Sequence, residues 1–132
     1  MRRGYRKRAS EFMKKILVID DDRLVLESVS KVLKREGYEA CLAQNADEAI
    51  DKTRKESFDL VISDIRMPGK NGVEAIREVR KLFDEKIRKD VPIIFITGYA
   101  EMSDQLKAEN LGEVILKPFD LSRLIMAIRE YL

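Results

Sequence analysis

The 132-residue sequence contains no histidine, no tryptophan and a single cysteine, Cys41. Without histidine there is no imidazole metal ligand, no histidine-based catalytic triad and no self-contained phosphohistidine chemistry. One thiol excludes an internal disulfide, and its place in an apolar run reads as a small buried hydrophobe. Long hydrophobic stretches are missing as well, since none approaches the ~20 residues needed to span a bilayer. The start "KKILVID" meets an acid after four apolar residues, so the basic N-terminus lacks the apolar centre of a signal peptide. A cytoplasmic location is expected.

A large excess of one charge is also absent. The formal net charge is +2, but the first twelve residues hold five basic groups (Arg2, Arg3, Arg6, Lys7, Arg8) against one acid, Glu11. The remainder has 21 basic and 23 acidic residues, a net −2. A mildly acidic body gives no support for nucleic-acid binding by the domain itself. Residues 1–13 read as a basic flexible tail, and 14–132 as one domain with room for one core.

What is present is an alternation of two periods. "KILVID", "YEACLA", "LVISD", "IIFIT" and "VILK" are short apolar runs with strand character. Between them lie helical patterns. Val25, Val29, Val32 and Leu33 share one face, with Gly37 as a stop. Asn45 and Glu48 form a capping-box-like start for a helix through about Lys55. Val73, Ile76, Val79 and Phe83 mark a third helix after Gly72, and a weaker one covers roughly 101–109. Asp120 begins a last helix with Leu121, Leu124, Ile125, Ile128 and Leu132 on its apolar side. Near-continuous apolar strands separated by helices predict an α/β fold with a parallel sheet covered on both faces. Ligands of such sheets gather beyond the carboxyl ends of the strands.

Those ends carry the chemistry-bearing residues. The first strand runs into Asp20, Asp21 and Asp22, the third ends in Asp64, the fourth in Thr97 and the fifth in Lys117 before Pro118. Carboxylates in one shallow pocket repel: two unit charges at 4 Å cost about 4 kcal/mol at an effective dielectric near 20. Such a cluster calls for a cation, and oxygen-only ligation points to Mg²⁺ or Mn²⁺ rather than zinc. A carboxylate beside such an ion, with a lysine and a hydroxyl nearby, suits phosphoryl transfer, with Asp64 as nucleophile.

The blocks "ILVIDDD", "LVISDIRMPGKNG", "IIFITGYA" and "ILKPFD" together resemble the signature of bacterial response regulator receiver domains, from about Lys14 to Leu132. The resemblance implies a flavodoxin-like, doubly wound (βα)5 fold with strand order 2-1-3-4-5, an order that the general rule for open sheets illustrates with a member of this very family. It implies Asp64 as phosphoacceptor, and Asp21, Asp64 and the backbone carbonyl of Arg66 as Mg²⁺ ligands, with Asp20 acting through water. Thr97 would sense the phosphoryl group, Lys117 would pair with it, and Lys117-Pro118 would be a cis peptide. Asp22 would start the first helix rather than ligate metal. A histidine kinase or histidine phosphotransfer protein would be the donor. The surface of the fourth helix, fifth strand and last helix would engage a downstream protein target, in a monomer or weak dimer without membrane or nucleic-acid contacts.

The sequence departs from the family pattern at Val114, where an aromatic usually stands three residues before the lysine. Switching is therefore expected more through backbone movement around Thr97 to Tyr99 and the fourth helix than through rotation of a ring. Arg66 and Tyr99 would flank the phosphoryl group. Two other readings fit the residues less well: an inert receiver-like docking module, and a Mg²⁺-dependent phosphohydrolase. The latter would place a second aspartate where Arg66 stands. A stand-alone regulator and a receiver belonging to a larger protein are both compatible with this sequence.

Overall fold

The structure, a computed structural model, describes residues 13–65, 72–85, 91–98, 108–109, 111–116 and 120–132. The expected tail (save Met13), Arg66, Tyr99, Lys117, Pro118 and most of the helix expected at 101–109 lie outside them; Ala108 and Glu109 are helical.

Five strands form one parallel sheet: β1 (Lys15–Ile19), β2 (Glu39–Ala43), β3 (Leu60–Asp64), β4 (Ile93–Thr97) and β5 (Glu113–Leu116). Their order is β2-β1-β3-β4-β5. The long helices are α1 (Arg23–Arg35), α2 (Ala46–Lys55), α3 (Gly72–Glu85) and α4 (Leu121–Tyr131). The flavodoxin-like, doubly wound α/β architecture expected from the sequence is therefore the one observed.

Strand side chains alternate between two cores because successive Cβ atoms point to opposite faces. Leu17, Ile19, Val61, Ile93 and Phe95 pack with Ile50 of α2 and Val73, Ile76 and Val79 of α3. Ile16, Val18, Leu60, Ile62, Ile94 and Ile96 pack on the other face with Leu26, Val29 and Leu33 of α1 and Leu124, Ile125 and Ile128 of α4. Each such side chain, fully buried, contributes about 1.5–3 kcal/mol. Over the three central strands, β1, β3 and β4, both sheet faces are thus dry, which is why those strands read as continuous apolar runs.

Local signals set the helix ends. The Asp22 carboxylate accepts the Leu24 N–H at 2.9 Å and begins α1. At its other end Gly37 adopts φ +87°, a conformation costly for residues with a Cβ. There Tyr38 N–H donates to Leu33 O at 2.9 Å and Gly37 N–H to Lys34 O at 3.1 Å, a Schellman closure. Asn45 accepts Glu48 N–H at 2.8 Å, but the returning Glu48 carboxylate takes the N–H of Gln44, one residue before the cap. Asp120 caps α4 through Ser122 N–H at 3.2 Å.

The inward face of α1 is rotated slightly from the expected one. Leu26 is buried, whereas Val25 is only partly covered. Cys41 also differs from expectation, being half-buried on the edge strand β2, with its thiol 4.0 Å from a Glu56 carboxylate oxygen. Partial burial is still enough to push the thiol pKa up.

Candidate functional site

All five strands point the same way, so their carboxyl ends share one rim. Asp20 follows the last residue of β1, and its N–H donates to Ala43 O at 3.1 Å, carrying the ladder one residue past the strand. Its carboxylate accepts Asp22 N–H at 2.9 Å. That bond folds the chain back at once, so Asp21 projects to the exposed side while Asp22 is left to cap α1. One turn therefore gives three consecutive aspartates three different settings.

Asp64 is the last residue of β3, the strand between β1 and β4. The result is convergence: carboxylate oxygens of Asp20, Asp21 and Asp64 all lie within 4.8 Å of one another. Asp20 is fully buried, Asp64 is 7 % exposed and Asp21 is exposed. At that separation, each fully charged pair would repel by about 3 kcal/mol at an effective dielectric near 20. Burial removes the water that would otherwise screen Asp20 and Asp64. An oxygen-only donor set of this kind fits a hard divalent cation.

Thr97 ends β4 and is fully buried. It lies one residue beyond Ile96, the ladder partner of Asp64. Thr97 itself pairs with Leu116 of β5, the residue before Lys117. The rim thus gathers Asp20, Asp21 and Asp64 and sets Thr97 at the end of the neighbouring strand. Arg66 and Lys117 fall outside the described residues.

Two features went unread in the sequence. Ser63, fully buried, donates its hydroxyl to the Asp64 carbonyl at 2.9 Å. A hydroxyl interrupting an apolar strand beside the acid was the available signal. Leu24, next to the acid turn, is 72 % exposed, although a leucine in an amphipathic helix reads as core. Val114 packs, partly buried, against the core that includes Phe95, its ladder partner.

No helix among the described residues is long and apolar enough to cross a membrane. The sequence matches the family described as "Response regulator receiver domain" over residues 16–129. It is 34% identical over 120 residues to sporulation initiation phosphotransferase F of Bacillus subtilis, covering 89% of this chain and 93% of that protein. Among solved structures, response regulator protein TrrA of Thermotoga maritima, in complex with Mg(2+)-BeF, superposes with a TM-score of 0.78 at 37% identity, over 91% of this chain and 100% of that one. Chemotaxis protein CheY4 of Vibrio cholerae gives a TM-score of 0.80 at 30% identity, over 91% and 99%. The acid cluster resembles the phosphoacceptor site of response regulators, domains whose chemistry is limited to gaining and losing their own phosphoryl group. By the extent of the match and the agreement of fold and rim, this chain belongs to the response regulator receiver domain family.

Proposed function

We propose that this domain is a phosphorylation switch. It takes a phosphoryl group from a partner histidine kinase or histidine phosphotransfer protein onto Asp64 and then changes its affinity for a downstream protein. The meeting of Asp20, Asp21 and Asp64 beside the strand that ends in Thr97 carries this reading. The chain has no histidine, so a phosphohistidine donor lies outside these 132 residues.

The ion that fits the donor set best is Mg²⁺, with Mn²⁺ as a substitute. Asp21, Asp64 and the Arg66 carbonyl would hold it directly and Asp20 through water; the Thermotoga relative solved with Mg(2+)-BeF supports the choice of ion. When bound, Mg²⁺ offsets the crowded negative charge and stabilises the oxygens of a transferring phosphoryl group.

The remaining work belongs to the protein. A carboxylate oxygen of Asp64 attacks phosphorus as the phosphorus–nitrogen bond of phosphohistidine breaks, and the electron pair leaves with the imidazole nitrogen. Placement at a strand tip, 7 % exposed, holds the nucleophile rigid while leaving it reachable from the rim. Thr97 donates its hydroxyl to one phosphoryl oxygen, and the Lys117 ammonium pairs with another. The new group biases two states of the domain only through such differential contacts. The helix expected at 101–109, β5 and α4 form the responding surface. With Val114 in the core instead of a ring, the change runs through the backbone beyond Thr97.

Incubation with acetyl phosphate, read by intact mass, tests the assignment. One phosphoryl group should appear with Mg²⁺ and none after chelation. Asp64→Asn should remain folded by circular dichroism yet stay unlabelled. Undiminished labelling of that variant would overturn the choice of Asp64.

A further inference from the structure

We draw no further inference here: the strongest candidate, the groove between α1 and α4 lined by Val32, Leu121, Ile125 and Met126 and flanked by Arg35 and Arg129, carries none because nothing in the structure shows what covers it.

Discussion

Lys15, at the start of β1, meets the Glu56 carboxylate at 2.9 Å, whereas Asp20, just past the end of the same strand, meets Asp21 and Asp64. The contrast extends across the sheet. At the amino-terminal end, the Lys15 N–H donates to Asp59 at 2.8 Å. Arg80 of α3 reaches the carbonyls of Val91 and Leu111 at 3.5 and 3.4 Å. At the carboxyl-terminal end, like charges are pressed together. A five-residue strand is about 16 Å long, roughly twice the screening length at physiological salt, ~8 Å. Lys15 therefore cannot neutralise the acids at the opposite end. One end of the sheet is held by opposite charges and hydrogen bonds; at the other, three carboxylates converge.

The difference can be broken from either side. The largest expected loss of stability comes from Gly112→Ala at the quiet end. A Cβ there would overlap the Ile93 carbonyl oxygen, which is backbone and cannot swing away. Urea denaturation should register a loss of about 3 kcal/mol, while acetyl phosphate labelling well below the transition stays at the parental level. Unchanged stability would mean that β5 is not seated so closely on β4.

Next in size is the response of the acid end to its cation. At a hundredfold excess over Kd, Mg²⁺ should stabilise the parent by about 2.7 kcal/mol, seen as a higher thermal midpoint. Asp64→Asn should lose most of that increment, and by relieving repulsion should start from a more stable metal-free state. A metal-free variant less stable than the parent would refute the picture of stored repulsion.

Asp22→Ala separates capping from ligation. Loss of the bond to Leu24 N–H should cost about 1 kcal/mol in denaturation and leave Mg²⁺ affinity within a few-fold. A tenfold or larger drop in affinity would move Asp22 into the metal site.

The smallest effect belongs to Lys15. Its hydrogen bond to Glu56, and secondarily the attraction of that carboxylate, raise its pKa despite an opposing contribution from burial. A raised folded-state pKa means that the stabilisation is complete below the unfolded lysine value, about 10.4, and fades as pH climbs through the folded one. Both side chains are a third or more exposed, 35% and 40%, so solvent screening keeps the amount below about 1 kcal/mol. Glu56→Gln should flatten the decline in denaturation midpoint above about pH 10. An equally steep decline would assign it to other groups.

Much of this was legible before any coordinates, and the reason is the sheet's burial on both faces. Runs such as Leu60 to Ile62 have to be apolar throughout, so the first polar residue after each marks the rim. Asp20, Asp64 and Thr97 stood out for that reason, and Asp22 and Asp120 announced themselves as caps by preceding amphipathic stretches. What stayed hidden depends on contacts between segments distant in sequence. Whether Val25 or Leu26 turns inward depends on how α1 rolls against the sheet. The close approach at Gly112 requires knowing that β5 lies beside β4. Cys41 reads as core, yet its strand lies at the sheet's edge, where cover is incomplete. Ser63 spends its hydroxyl on a neighbouring carbonyl, a local bond that periodicity does not register.

Asp64 rides on β3, which is hydrogen-bonded on one side to β1 and on the other to β4. Fraying begins at margins, and each margin of this sheet, β2 or β5, is separated from β3 by one intervening strand. The amides of Val61 to Ser63 should therefore exchange with solvent only on near-global opening. A modification at Asp64 is anchored to the least yielding part of the molecule, so its pull is felt by the looser parts around it.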